Sequence, residues 1–136
     1  MINNMLNEKW IPLESIKGEC SLSSISYDSN ILSAELDSFL TGETISLSFN
    51  DVFSYRITLE HFRWEGIPPI DKTKYVFYNV LDSNYKEWLL REGLMQLYGE
   101  SIPIRHIVLY CTEHIIDIIL PKAASVFLNG HPLSID

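Results

Sequence analysis

Three polar side chains in a largely apolar stretch have the types and spacing that chemistry requires. His106, Tyr110 and Asp117 lie within residues 104–120, which read IRHIVLYCTEHIIDIIL. A partly buried aspartate beside a histidine can have a shifted pKa and act as a general acid or base. A carboxylate within IIDII is costly to bury unless it is hydrogen-bonded or paired. Because neither a nucleophile nor an oxyanion site accompanies the pair, the pattern favours a structural bond or a loop anchor over catalysis.

The elements that would position these side chains are the two strands of one hairpin. Both halves of residues 104–120 are rich in Ile, Val and Tyr, and the polar pair Thr112 and Glu113 between them predicts a tight turn. If Cys111 stands opposite His114, Asp117 lies diagonally within reach of both other polar side chains. One face of the hairpin is then apolar and the other is mixed. The apolar, core-facing side consists of Ile107, Leu109, Ile116, Ile118 and Leu120.

The rest of the chain predicts further strands and one helix. Residues 31–37, 44–50 and 53–60 alternate apolar and polar positions, which is typical of an antiparallel meander with one wet face. In residues 53–60 the pattern predicts that Phe53, Tyr55, Ile57 and Leu59 point into the core and that Ser54, Arg56, Thr58 and Glu60 point outward. Asn50 and Asp51 are expected to form the short hairpin link between the last two strands. Asp82 or Ser83 can cap a helix that carries Tyr85, Trp88 and Leu89 on its apolar face. We expect a single α+β domain over residues 1–136, with one antiparallel sheet of about six or seven strands and one main helix packed on one face.

The charge of the chain is unevenly placed. Its formal net charge is −8, and residues 1–54 hold eight acidic residues against two basic ones. An acidic surface repels nucleic acid and anionic membranes and attracts a basic partner. We predict the contact at Glu35 and Asp37 on the wet face of their strand, and at Glu43 beside the following turn. Trp64, in a proline-bearing loop, also suits a protein interface.

The sequence does not indicate an enzyme, a metal site, a signal peptide or a membrane span. The sequence contains no GxSxG, HExxH, CxxC or GxGxxG motif and no glycine-rich phosphate loop, so we expect no enzyme and no cofactor. The four histidines are scattered, and we expect no metal site. Cys20 and Cys111 are interpreted as buried, free thiols. The start of the chain lacks a signal-peptide pattern, and no apolar run reaches the roughly 18 residues of a membrane span, so a cytoplasmic location is expected.

A family resemblance rests on four features. They are Trp10, the strand SYRITLE, the helix start SNYKEWL and the hairpin HIVLYCTEHIIDII. This layout resembles small bacterial immunity proteins of polymorphic or contact-dependent toxin systems. The resemblance implies a cytoplasmic, non-enzymatic inhibitor that binds a cognate toxin domain tightly. It transfers no site residues, because immunity proteins differ most where they touch their toxins.

A basic nuclease would suit such an inhibitor, because an acidic surface can imitate the phosphate backbone that a nuclease binds. Two alternatives stay open. One is a small ligand-binding protein or enzyme that uses the face of His106, Tyr110 and Asp117. The other is an oligomeric structural or adaptor protein that pairs through a last edge strand at residues 124–128.

Overall fold

Two five-stranded sheets form the framework of the protein. The computed structural model describes residues 8–60, 75–94 and 103–135. We call the two sheets A and B; their strand orders are β1-β6-β7-β8-β5 and β10-β9-β4-β3-β2, and every neighbouring pair of strands is antiparallel. Sheet A contains β1 (Lys9–Lys17), β5 (Ser54–Leu59), β6 (Tyr75–Leu81), β7 (Ile104–Tyr110) and β8 (His114–Pro121). Sheet B contains β2 (Cys20–Asp28), β3 (Ile31–Ser38), β4 (Thr44–Phe49), β9 (Val126–Leu128) and β10 (His131–Pro132).

The predicted α+β fold with a single sheet of six or seven strands is therefore wrong. Alternation shows that a strand buries one face, but it does not say which sheet the strand joins. The link at Asn50 and Asp51 was predicted to close a hairpin between two neighbouring strands. It carries the chain from one sheet to the other instead, since β4 pairs with β9 while β5 pairs with β8.

The inner faces of the two sheets share one apolar core. Alternate residues of β3 and β4 point into it, as their sequence pattern predicts, and their polar neighbours point outward. Each large side chain that is fully buried contributes about 1.5–3 kcal/mol relative to leaving it exposed. The core includes Leu32, Leu36, Leu47 and Phe49 from sheet B and Phe77, Ile107, Leu109, Ile116 and Ile118 from sheet A.

The central hairpin forms in the predicted register. Val108 pairs with Asp117, and the backbone N–H of Cys111 donates to the carbonyl of His114 at 2.9 Å. The face that was predicted to be mixed is also buried, because every residue of β7 is buried. Trp10 packs there against Tyr78, and side chains of the helix cover the rest.

The predicted main helix is short. α1 (Asn84–Leu89) has six residues and continues into a wider helical turn, Leu90–Leu94. Ser83 is the N-cap, and its Oγ accepts a hydrogen bond from the backbone N–H of Lys86 at 2.9 Å. Gly93 has a φ of 154°, which is not helical, so the glycine interrupts this turn as its residue type predicts.

The edge strands of sheet A are β1 and β5. The leading segment is the nine-residue strand β1, whose edge position tolerates Pro12 because a proline lacks the N–H that an inner strand needs. In β5, the side chains of Tyr55, Ile57 and Leu59 were predicted to point into the core, but they are 38%, 41% and 42% exposed. They lie opposite residues of β8, and the ring of Tyr55 contacts the ring of Tyr27 in β2, with 5.3 Å between the centroids.

Candidate functional site

A chain of hydrogen bonds connects four polar side chains, three of which are fully buried and one of which, Arg56, is partly exposed. His106 Nε2 lies 2.7 Å from Asp117 Oδ1, and both residues have no solvent exposure. Arg56 Nε donates to the other carboxylate oxygen, Oδ2, at 3.0 Å. On the far side of the imidazole, Nδ1 lies 2.6 Å from the hydroxyl of Ser83, which is also fully buried. We call Ser83, His106, Asp117 and Arg56 the polar network.

Three strands and the helix start hold this polar network in place. His106 and Asp117 project from the two strands of the central hairpin, and Arg56 stands directly opposite Asp117 in the β5–β8 pairing. Ser83 is fixed by its role as the cap of α1. The polar network thus ties the edge strand β5, the central hairpin and the helix together.

Aromatic packing encloses the network on the helix side. The guanidinium of Arg56 lies 4.1 Å from the centre of the Tyr85 ring, a favourable cation–π distance. The Tyr85 ring packs edge-on against His106, and its hydroxyl forms a short hydrogen bond with Ser54. Burial raises the pKa of Tyr85, against the lowering effects of the Ser54 hydrogen bond and the Arg56 charge.

The hydrogen bonds within the polar network are suited to a structural role. Ser83 Oγ accepts from the Lys86 N–H, so its own proton is available for His106 Nδ1, and Nε2–H then donates to the carboxylate. Each of these groups is satisfied, and Asp117 is paired with Arg56. A nucleophilic serine must reach its substrate, whereas Ser83 is fully buried and engaged as a helix cap.

The predicted cluster forms in part. His106 and Asp117 are directly bonded, and Tyr110 lies on the same face, where its hydroxyl donates to Glu60 Oε2 at 2.6 Å. The sequence pattern predicts a wet face for Arg56 and only a capping role for Ser83, so it does not indicate that either residue bonds to His106 or Asp117. The signal that could have indicated Arg56 was a single arginine within a strand whose alternate residues are apolar.

The acidic residues predicted to bind a partner lie on the outer face of sheet B or beside it. Glu35 and Asp37 are exposed there, and Glu43 is exposed at the turn between β3 and β4. Ser24 donates to Glu35 Oε1 and Thr44 donates to Asp37 Oδ1, each at 3.1 Å. These bonds orient the carboxylates while leaving them open to solvent. Trp64 lies outside the described residues.

A groove of about 420 Å³ opens on this face beside Glu35. The strand register explains it, since short serine side chains stand next to one another across β2, β3 and β4 and leave a depression. Phe127 of β9 lies opposite Ser48 and contributes an aromatic wall. We call this surface the serine groove; its hydroxyls come from Ser24, Ser26, Ser33, Ser46 and Ser48.

Comparison of the chain with protein-family models, curated proteins and solved structures gives no match. Within the described ranges, no helix is long and apolar enough to cross a membrane. The same residues contain no group of three or more His, Cys, Asp or Glu side chains placed to hold a metal ion.

Proposed function

We propose that this chain is a non-enzymatic binding protein that neutralises a basic protein partner, and that the partner is a cognate toxin domain. The observation that supports this best is the serine groove, which carries Glu35 at its side on an exposed face where Asp37 also stands. The identity of the partner as a toxin rests on the resemblance to immunity proteins.

The chemistry of the groove suits basic side chains from a partner. Serine hydroxyls both donate and accept hydrogen bonds, and their short side chains leave room for a long lysine or arginine. A carboxylate such as Glu35 pairs with a guanidinium in two parallel hydrogen bonds, which fixes orientation as well as adding affinity. Exposed carboxylates around the groove also accelerate association with a basic surface.

The alternatives find less support. An enzyme using the face of His106 and Asp117 would need solvent or substrate to reach two side chains that are fully buried and bonded. An oligomer formed through residues 124–128 would need an open strand edge there. The strand of that region, β9, lies between β4 and β10.

Co-expression provides the first test. The chain is expressed together with the C-terminal domain encoded by the gene immediately upstream, and growth and complex formation are both scored. We expect the domain to be toxic alone, growth to recover with this chain, and a complex to survive purification. Toxicity without rescue or binding would contradict the proposal.

A charge-reversal variant then tests whether the partner binds at the outer face of sheet B. Glu35→Lys, Asp37→Lys and Glu43→Lys together should weaken binding at least about tenfold and reduce its salt dependence, because close charge pairs across an interface are lost. The matched control reverses three exposed glutamates away from this face and changes the net charge equally. It consists of Glu14→Lys, Glu87→Lys and Glu92→Lys. Equal weakening by both triple variants would exclude the serine groove as the contact.

A further inference from the structure

A second pocket has the opposite charge. It lies at one end of sheet A, where β1 begins, β6 ends and β7 begins, and its volume is about 410 Å³. Pockets of this size are typical of small-molecule sites. Four cationic side chains line it, against one carboxylate, Asp82. The four are Lys9, Lys86, Arg105 and Lys122.

This concentration of positive charge is unexpected in an acidic protein. The whole chain has ten Lys and Arg residues and a net charge of −8, yet four of the ten line this one pocket. Like charges gathered in one concave site repel each other, and the cost rises where the protein lowers the local dielectric constant. A bound anion would reduce this repulsion.

The cations come from separate parts of the fold. Lys9 starts β1, Lys86 lies in α1, Arg105 lies in β7, and Lys122 follows β8. Arg105 is only 7% exposed and belongs to the central hairpin, so it provides a rigid inner wall, while Lys9 and Lys122 are exposed at the rim. Residues far apart in sequence are thus brought together by the sheet ends.

The donor types favour phosphate. A guanidinium offers a planar fork of N–H donors that matches phosphate oxygens, and lysine ammonium groups add flexible point charges around it. Asn79 also lines the pocket. A compact pocket, without an extended basic surface, suits a small ligand better than a nucleic acid, which needs a basic track along its backbone.

We propose that this pocket binds a small phosphorylated molecule. The proposal is independent of the proposed function, because the pocket shares no lining residue with the serine groove. Binding of a phosphorylated ligand would also join the start of β1, the helix and the ends of the central hairpin more firmly.

The test uses inorganic pyrophosphate as the probe, with calorimetric titration of the full chain at low ionic strength. We expect saturable binding to one site. Replacing the two rim lysines, Lys9→Gln with Lys122→Gln, should weaken it at least about tenfold, since the attraction to a multivalent anion depends on these nearby charges. The matched control, Lys17→Gln with Arg91→Gln, removes the same charge at exposed positions outside the pocket and should change affinity less than about twofold.

Arg105→Lys provides a second variant that keeps the charge but removes the planar fork, and it should weaken pyrophosphate binding without abolishing it. The rim variant keeps the test decisive if the Arg105 substitution impairs folding. Absence of pyrophosphate binding at millimolar concentration would overturn the proposal. An equal loss of pyrophosphate affinity in the control variant would also overturn it. So would tighter binding of a single-stranded oligonucleotide that depends on the rim lysines in the same way.

Discussion

Asp117 illustrates how one buried charge can organise its surroundings. Its carboxylate accepts from His106 on one oxygen and from Arg56 on the other. A buried ion pair is weak evidence for net stabilisation, because desolvation offsets much of the attraction. Removing the carboxylate is different, because the fully buried His106 then loses a hydrogen-bond partner, whereas the partly exposed Arg56 can bind water.

We therefore predict that Asp117→Ala lowers the free energy of unfolding by about 1–3 kcal/mol. Urea denaturation of the variant measures this loss. Asp37→Ala is the matched control, because that aspartate is exposed and bonds only through Thr44 in the contacts described above; its effect should stay within about 0.5 kcal/mol. Similar losses in both variants would show that the polar network does not depend on the buried carboxylate.

The Cys111 thiol makes the free energy of unfolding depend on pH. Burial, with a smaller contribution from Cys20, raises the pKa of the Cys111 thiol from 9.0 to about 12. Above pH 9 the unfolded chain releases this proton while the folded chain keeps it, so rising pH favours unfolding. The stabilising contribution is complete below pH 9 and is lost as the pH rises toward 12.

The expected loss across that range is on the order of 4 kcal/mol, at about 1.4 kcal/mol for each pKa unit. Cys111→Val removes the titrating group and should flatten the alkaline fall in stability, relative to the unsubstituted chain. Urea midpoints at pH 8 and pH 10.5 provide the comparison. Parallel falls in both proteins would assign the alkaline effect to other groups, such as Cys20 and Tyr85, whose pKa values burial also raises.

At the scale of elements, β5 and β8 show why an apolar pattern does not guarantee burial. Ile57 and Ile116 are the same residue type, stand opposite each other and face the same side of sheet A. Ile116 is fully buried in the shared core, whereas Ile57 is 41% exposed. The difference arises because β5 is an edge strand and β8 is an inner strand.

We predict that Ile116→Ala destabilises the protein by about 2–5 kcal/mol, because it opens a cavity that the core cannot fill. Ile57→Ala should cost about 1 kcal/mol or less, since much of its side chain already contacts water. Chemical denaturation of the two variants gives the comparison directly. Equal costs would mean that β5 is covered as completely as β8.

At the scale of the whole molecule, two charged surfaces of opposite sign lie apart. Glu35, Asp37 and Glu43 lie on or beside the outer face of sheet B, and three lysines and an arginine line a pocket at one end of sheet A. Such separation orients an approaching charged molecule before contact and allows two oppositely charged ligands to bind without competing for residues. The two proposed sites therefore use different residues of the same small fold.

Much of the local structure was predictable from the sequence. The register of the central hairpin, the inward faces of β3 and β4 and the cap at Ser83 follow from alternation, turn residues and capping chemistry. These signals act between residues that are close in the chain or lie on one strand, so they can be recognised without knowledge of the tertiary fold.

Tertiary structure alone decided which sheet each strand joined and which charges met. Arg56 and Asp117 are 61 residues apart, and they bond because β5 crosses into sheet A and pairs with β8. The basic pocket likewise collects cations from four separated segments. Pairing between distant strands depends on how the whole chain buries its apolar surface, and alternation along a single strand is equally compatible with one sheet or two.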